Sequence, residues 1–200
     1  MIAIKEYIEK FPAGFDVENK NAWEITSAIA ETIEKIILDL NDDFIVANNI
    51  AVHKTAVIEA GVVMKAPVIV SANCFIGAHA YLRGGVFLSE NVSIGPGCEI
   101  KSSIICSNSA AAHFNFIGDS IIGSNVNFEA GSIIANHYNE REDKQISVLY
   151  KNELIKTAST KFGALVGDGC RIGANAVLSP GTLLDKKAIV QRLELIKQIN

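Results

Sequence analysis

A six-residue repeat of aliphatic residues is the feature that most limits how this chain can fold. One series steps by six without an exception through Val46, Val52, Ile58, Met64, Val70, Ile76, Leu82, Leu88, Ile94 and Ile100. Four residues after each member from Val52 onward lies a residue that is in most cases small or β-branched, and the pattern returns at Val166, Ile172, Leu178 and Leu184. A strict period of this kind is typical of a solenoid, in which each repeat contacts only its neighbours.

One hexad is long enough for a short strand and a turn, with a large side chain pointing inward and a small one filling the corner. Such a unit cannot bury its apolar face alone, so it is stable only when coil stacks on coil. Three hexads, about 18 residues, close one triangular coil of the hexapeptide β-helix class. The sequence therefore predicts an all-β solenoid, a parallel β-helix of six to seven coils.

The ends of the chain and two interior segments depart from the repeat. Residues 1–44 are predicted to form an N-terminal helical cap, because apolar residues between Trp23 and Leu40 follow helical spacing. Residues 45–190 are predicted to form the β-helix and residues 191–200 a short C-terminal helix, so that helices cover both open ends of the solenoid.

The two interior breaks are the segment AAAHFNFIGDS and a charged loop insertion at residues 137–160. Irregular segments of a solenoid become loops on a rigid scaffold, where binding and catalytic residues are common. The insertion is either a solvated surface excursion or an arm that covers a neighbouring subunit's site in an oligomer.

The charge balance limits the class of partner. A net charge of −4 and a pI near 5.6 argue against general binding to nucleic acid or anionic membrane, since both need a basic face. No apolar run approaches the roughly 18 residues that span a bilayer, and the N-terminus lacks a signal-peptide pattern. We therefore expect a cytoplasmic protein that binds neither nucleic acid nor membrane.

The four cysteines are assigned to the scaffold. Cys74, Cys98 and Cys170 occupy the small corner position, and Cys106 falls on the large position six residues after Ile100. None of them shows CxxC spacing, and a buried thiol behaves as a small hydrophobe. The pattern indicates neither a redox pair nor a metal site.

Several phrases between Tyr81 and Asn136 occur in a characteristic order: YLRGG, EIKSS, then AAHFNFIGDSIIGSNVNFEAGSIIAN, with TKFGALVGDG after the insertion. They resemble the acetyltransferase domain of the bifunctional N-acetylglucosamine-1-phosphate uridyltransferase/glucosamine-1-phosphate acetyltransferase enzymes and their archaeal sugar-1-phosphate relatives. The resemblance covers about half of the chain with specific motifs. It implies a left-handed β-helix, a homotrimer with sites between subunits, and acetyl-CoA as the acyl donor.

The resemblance also implies roles for individual residues. His113 matches the family's general base, and a histidine can accept the proton that an amine loses on attacking a thioester near neutral pH. The backbone amide of Ala130 matches the group that stabilises the oxyanion. The remaining matches are cationic ligands of the sugar phosphate and polar contacts near the acceptor amine and acyl chain: Arg83, Lys101 and Lys161, then Asn127 and Asn136.

Two positions at the expected substrate site depart from the family pattern. Phe116 stands where the enzymes resembled carry a tyrosine, so a hydroxyl that contacts the acceptor is missing. Glu129 replaces a glycine, and its carboxylate would repel a phosphate, point away, or bind the acceptor amine. These departures indicate an acceptor that differs from glucosamine-1-phosphate itself. The expected acceptor is an amino sugar phosphate like glucosamine-1-phosphate, or a related sugar.

Acetyl-CoA is expected to bind beside Ala174, Arg171 and Lys186. Positive charge near the C-terminal coils, which Lys187 and Arg192 increase, either meets the phosphates of CoA or forms a solvated surface. No metal is required for acyl transfer in this scheme.

Two other classes of function compete with an acyltransferase. Hexapeptide carbonic anhydrases bind zinc through three histidines, two of them five residues apart, and no such pair occurs among the four histidines here. A non-catalytic β-helix that serves as a binding or assembly subunit is favoured by Phe116, by Glu129 and by the absence of a glycine-rich nucleotidyltransferase motif.

Overall fold

Seven stacked coils of three short strands each form the solenoid that the hexads predict. The computed structural model describes residues 1–198. In chain order the strands are β1 (Phe44–Ala47), β2 (Ile50–His53), β3 (Val57–Ile58), β4 (Val63–Met64), β5 (Val68–Val70), β6 (Phe75–Ile76), β7 (Tyr81–Leu88), β8 (Ser93–Ile94), β9 (Glu99–Ile105), β10 (Ala110–Ala111), β11 (Phe116–Gly118), β12 (Ile121–Ile122), β13 (Asn127–Phe128), β14 (Ile133–Ile134), β15 (Ser147–Tyr150), β16 (Glu153–Lys156), β17 (Ala164–Val166), β18 (Arg171–Ile172), β19 (Val177–Leu178), β20 (Thr182–Leu184), β21 (Ile189–Val190) and β22 (Leu195–Ile196).

The solenoid strands form three parallel faces. Face 1 consists of β2, β5, β12, β17 and β20 with the second halves of β7 and β9. Face 2 consists of β3, β6, β8, β10, β13, β18 and β21. Face 3 consists of β4, β11, β14, β19 and β22 with the first halves of β7 and β9. Backbone groups of each strand therefore pair with the coils above and below.

Large aliphatic side chains fill the interior as stacked columns. On face 3 the column includes Leu82, Ile100, Ile117, Ile134 and Leu178, each at most 1% exposed. This confirms the predicted all-β solenoid and the predicted six to seven coils.

The first predicted break, at residues 110–120, is instead a regular part of the solenoid, because β10 and β11 lie within it. Two corners are each one residue shorter than the six-residue step requires. The inward series therefore takes five-residue steps from Ile100 to Ile105 and from Ile117 to Ile122, which shifts the phase of the sequence pattern without opening a loop.

The first short corner also changes the environment of one cysteine. Ile105 takes the inward position, and Cys106 packs beside Ile104 in the cluster between face 1 and the N-terminal helices rather than in the interior column. Cys74, Cys98 and Cys170 lie in the interior, as predicted.

The ends of the solenoid differ from the predicted boundaries. Val46 lies in β1, which pairs antiparallel with β2, so the parallel coils begin at Ile50 rather than at residue 45. In place of the predicted C-terminal helix, the coils continue to Ile196. Ser179 N–H donates to the Ile196 carbonyl at 3.0 Å, and the six-residue step keeps the Ile196 side chain against the core. The remainder of the predicted helix, residues 199–200, lies outside the described residues.

The N-terminal segment forms three helices, α1 (Ile4–Tyr7), α2 (Ala22–Ser27) and α3 (Ile29–Leu38). They pack along face 1 rather than over an open end of the solenoid, because the outward residues of that face are apolar and need cover. Helix α3 starts directly above Gly85, where an added Cβ would lie 2.9 Å from Cγ2 of Ile29. The backbone there has φ +91°, so this contact requires a glycine.

The insertion extends the cover on face 1. Strands β15 and β16 form an antiparallel hairpin, and Ile146 and Val148 are fully buried in the same cluster as the helices. At the tip of the hairpin, Lys151 Nζ lies 2.7 Å from Glu6 Oε1. The insertion thus packs on its own chain, which neither alternative from the sequence anticipated.

Candidate functional site

The corner between faces 2 and 3 brings together three of the predicted site residues. His113, Ala130, Ala174 and Arg192 occupy the same position in four successive coils, and we call them the corner row. The carbonyl of each of the first three accepts an N–H from the next coil: Gly131 to His113 at 2.8 Å, Asn175 to Ala130 at 3.0 Å, and Leu193 to Ala174 at 3.0 Å. The predicted base, oxyanion amide and cofactor-binding residue are therefore vertical neighbours.

The backbone around His113 is held from both sides, while the imidazole is exposed. Phe114 N–H donates to the Pro96 carbonyl at 3.2 Å. The buried Asn115 amide donates to the Glu129 carbonyl at 2.8 Å and to Ser132 Oγ at 2.7 Å, which ties this corner to the next one. The result is a fixed backbone that carries a histidine free to contact a ligand.

The N–H of Ala130 is available for a ligand. Its carbonyl belongs to the hydrogen-bond ladder, whereas no ladder bond within residues 1–198 uses its N–H. The N–H of Glu129, directly before it, does belong to the ladder and donates to the Ile172 carbonyl at 2.9 Å. A preorganised N–H of this kind can stabilise an oxyanion.

The structure determines where the Glu129 side chain points. Its carboxylate accepts the Ala174 N–H at 2.8 Å, Arg192 Nε at 2.7 Å and Arg192 Nη2 at 2.8 Å. The Arg192 guanidinium and, secondly, the Ala174 N–H lower the pKa of Glu129 to about 2. Glu129 is therefore a carboxylate at neutral pH and is directed toward the C-terminal coils, the second of the three orientations that the sequence left open.

A groove of about 420 Å³ lies on face 2 beside this pair. Asn127, Glu129, Arg171, Gly173 and Arg192 contribute to its lining. Asn127 and Arg171 are register partners on adjacent coils. The groove is thus lined by Asn127, which is predicted to contact the substrate, and by Arg171, which is predicted to bind the cofactor. Glu129, which departs from the family pattern, also lines it.

A second cluster lies on face 3, and Arg83 and Lys101 are register partners within it. Lys101 Nζ lies 2.5 Å from Asp119 Oδ2, and both side chains are largely buried. The Asn136 amide also donates to this carboxylate. Arg83 Nη2 lies 2.6 Å from Glu99 Oε1. Two of the three predicted phosphate ligands, Arg83 and Lys101, therefore already have a carboxylate partner.

Phe116 and the end of the insertion complete the face 3 cluster. An added Cβ at Gly118 would lie 2.8 Å from the Phe116 ring and 3.0 Å from the Asn136 amide carbon, so both side chains cover this glycine. Phe162 N–H donates to the Asn136 carbonyl at 3.0 Å, which places the exposed Lys161 one residue from the cluster.

Lys186 is not beside the other predicted cofactor residues. It lies at the corner between faces 1 and 2, where Nζ is 3.9 Å from Glu9 Oε1. It lines a different groove, of about 780 Å³, together with Asp168 and Lys187. Lys186 follows Ala174 by two hexads. Because each hexad advances the chain by one side of the triangular coil, the two residues lie at different corners.

Sequence reasoning did not identify Asp119 and Glu99, the partners of the two face 3 cations. A usable signal exists, because Asp119 follows Lys101 by 18 residues and Glu99 follows Arg83 by 16. Opposite charges about one coil apart become vertical neighbours in a solenoid of this period.

Among residues 1–198, no group of three or more His, Cys, Asp or Glu side chains is arranged to hold a metal ion. No helix in the same range is long and apolar enough to cross a bilayer. Burial raises the pKa of Cys74 to about 11 and that of Cys106 to about 12, which is the environment of a structural thiol.

Comparison with known proteins finds relatives that are named as bifunctional proteins. The bifunctional protein GlmU of Methanococcus maripaludis is 37% identical over 84% of this chain and 41% of its own length. The bifunctional sugar-1-phosphate nucleotidylyltransferase/acetyltransferase of Sulfurisphaera tokodaii is 31% identical over 84% of this chain and 43% of its own. The chain thus spans about two fifths of the length of these relatives, and the resemblance read from the sequence is confirmed.

A solved structure of a mutant perosamine N-acetyltransferase from Caulobacter crescentus, in complex with CoA and GDP-perosamine, matches at 15% identity. The match covers 70% of this chain and 49% of that one, with a TM-score of 0.29.

Two families match separate parts of the sequence. The hexapeptide repeat of succinyl-transferase matches residues 163–191, in the last coils. The family described as GMPPB C-terminal domain matches residues 46–155, from β1 into the insertion. Because this second match covers more than half of the chain, the protein belongs to the GMPPB C-terminal domain family.

Proposed function

We propose that the chain is an acyltransferase that moves the acetyl group of acetyl-CoA to an amino sugar phosphate, similar to glucosamine-1-phosphate, or to a related sugar. The observation that carries this function is the corner row, in which an exposed His113 and the N–H of Ala130 lie on consecutive coils. The relative named as a sugar-1-phosphate nucleotidylyltransferase/acetyltransferase supports the same chemistry.

The chemistry assigned to the corner row is a single acyl transfer. The imidazole of His113 accepts a proton from the acceptor amine or hydroxyl as that group attacks the thioester carbon. The carbonyl oxygen becomes an oxyanion and accepts the Ala130 N–H. The C–S bond then breaks, and the imidazolium returns the proton to the leaving thiolate of CoA.

The two clusters beside the corner row are assigned to the two substrates. Acetyl-CoA is placed along the face 2 groove, with Ala174 and Arg171 as its contacts. The sugar is placed toward face 3, where Asn136 and Phe116 offer an amide and an apolar ring. A phosphate held by Lys101 must share that ammonium with Asp119, so we expect weaker phosphate binding than from an unpaired lysine.

A homotrimer with sites between subunits is part of the proposal. Outward residues of face 3 include Val63, Ile133 and Leu195, which are 49%, 40% and 52% exposed. Three apolar residues on one sheet face favour cover by another copy.

The test is a screen of acceptors with acetyl-CoA, read as the release of free thiol. Glucosamine-1-phosphate, galactosamine-1-phosphate and unphosphorylated glucosamine are compared under identical conditions. We expect thiol release above the hydrolysis background with at least one amino sugar. No release with any acceptor, together with no binding of CoA in calorimetry at millimolar ligand, contradicts the proposal.

The second candidate is a non-catalytic β-helix that serves as a binding or assembly subunit. One observation favours it: the closed Glu129–Arg192 pair occupies the Ala174 N–H that the cofactor is expected to use. The same calorimetry separates the two functions, because a silent subunit need not bind CoA.

A further inference from the structure

The Ala174 N–H is a donor that the solenoid itself does not use. Its two neighbours belong to the ladder: Gly173 N–H donates to the Val190 carbonyl at 2.9 Å and Asn175 N–H to the Ala130 carbonyl at 3.0 Å. The Ala174 N–H instead donates to the carboxylate of Glu129, which lines the face 2 groove. A donor at this position is available to a ligand carbonyl only when Glu129 moves.

Within the described residues, the same arrangement recurs in the N-terminal coils. Glu59 occupies the corner position of Glu129, and its carboxylate accepts the N–H of Ala78, the counterpart of Ala174, at 2.7 Å. Within the described residues, Glu59 has no cation within salt-bridge distance, whereas Glu129 is held by Arg192. Glu59 therefore only accepts a backbone N–H, whereas Glu129 accepts a backbone N–H and is also held by a salt bridge to Arg192.

We propose that Glu129 and Arg192 form a gate on the face 2 groove. In the closed state, the carboxylate occupies the Ala174 N–H and neutralises the guanidinium. In the open state, a carbonyl of the ligand takes the Ala174 N–H, and an anionic group of the ligand pairs with the released Arg192. This inference rests on the proposed function, since the ligand class that offers both groups is an acyl-CoA, with amide carbonyls and phosphates.

The energetics suit a gate that opens on binding. The Arg192 and Glu129 side chains are 73% and 37% exposed, and exposed ion pairs contribute little to stability. Removing the carboxylate should therefore strengthen CoA binding by only about two- to fivefold. The pair also remains charged through the neutral range, because the pKa of Glu129 is about 2. The gate responds to the ligand and not to physiological changes of pH.

The test measures the Kd of CoA by calorimetry for the full-length protein and three variants. Glu129→Ala should lower the Kd by about two- to fivefold, whereas the matched control Glu59→Ala should leave it unchanged. Adding Arg192→Met to Glu129→Ala should remove the gain, because the phosphates lose their released partner. Pantetheine, which lacks phosphates, should show a smaller gain from Glu129→Ala than CoA does.

Two sets of results overturn the gate. If the wild-type protein binds CoA and Glu129→Ala binds it equally or more weakly, the carboxylate does not block the site. If the double variant keeps the full gain, Arg192 takes no part. Failure of every variant and of the wild type to bind CoA contradicts the proposed function itself, which is a different result. Circular dichroism of each variant checks that the fold is retained.

Discussion

Lys101 and Asp119 are the most deeply buried ion pair of the candidate site, with side chains 13% and 9% exposed. If the two groups separate, each remains as an unpaired charge in a largely buried site. The register of face 3 places Lys101 beside Gly118, so Asp119 meets the lysine on the adjacent coil. The pair is therefore part of the scaffold as well as of the expected substrate site.

We predict that Asp119→Asn destabilises the protein by about 3 kcal/mol, because it leaves a buried ammonium without its carboxylate. Glu99→Gln removes the partner of the more exposed Arg83 and should cost less than about 1 kcal/mol. Urea unfolding followed by circular dichroism measures both. Equal costs for the two variants would show that the Lys101 ammonium is compensated by another group.

Glu129 gives a prediction for pH dependence. Because its pKa is lowered, the pair with Arg192 is intact above the ordinary pKa of a glutamate and is lost only as the pH falls toward 2. The carboxyl carbon of Glu129 should therefore titrate in NMR with a midpoint near 2. In Arg192→Ala the midpoint should rise toward about 4.3, the value of a free glutamate. A wild-type midpoint near that of free glutamate would exclude the closed pair in solution.

Some of the site was predictable at the level of residues and some was not. The hexads predict equivalent positions for Ala130 and Ala174, two residues after the inward Phe128 and Ile172, whereas His113 lies in a segment predicted to break the repeat. The direction of the Glu129 side chain was not predictable, because its partner Arg192 is 63 residues away in the sequence. The displacement of Lys186 was predictable in principle, since two hexads always lead to a different corner.

At the scale of elements, face 1 is an apolar surface under a layer of helices and a hairpin. Its outward residues recur once per coil and are buried: Ala51, Ile69, Phe87, Ile104, Ile121, Leu165 and Leu183. The hexad pattern marks only the inward positions and does not show this row. The hexads therefore predict N-terminal helices over an open end and an insertion in solvent or against a neighbouring subunit.

The predicted C-terminal helix shows how two periodicities compete. Val190, Leu193 and Ile196 are three residues apart, which suits a helix, but Val190 and Ile196 also continue the hexad. The ladder decides between them, because Val177 N–H donates to the Glu194 carbonyl at 2.8 Å only when the last segment is extended against β19.

The packing of the insertion gives a prediction at this scale. Ile146 is fully buried beneath the hairpin, whereas Leu154 in the same hairpin is 57% exposed. Ile146→Ala should destabilise the protein by about 3 kcal/mol, since it removes buried apolar volume. Leu154→Ala should change stability by less than about 0.5 kcal/mol. Thermal unfolding compares them, and a silent Ile146→Ala would mean that the hairpin detaches from face 1 in solution.

At the scale of the whole molecule, one face is covered by the chain itself and the other two meet at the corner row. Face 2 carries the groove with Arg171, and face 3 carries the cluster around Asp119. Face 1 is therefore the structural side of the solenoid. The corner between faces 2 and 3 presents His113 and the N–H groups of Ala130 and Ala174, with a charged cluster on either side. The proposed acyl transfer requires that the two substrates meet at this corner.

The proposed function depends most directly on the exposed imidazole of His113 as the base of the acyl transfer. The most direct measurement is thiol release from acetyl-CoA by His113→Ala with the best acceptor of the screen, at saturating concentrations of both substrates. We predict a loss of turnover of about 10²-fold or more, with the Kd of CoA unchanged and the fold retained. Turnover within a factor of a few of the wild-type value would contradict the assignment.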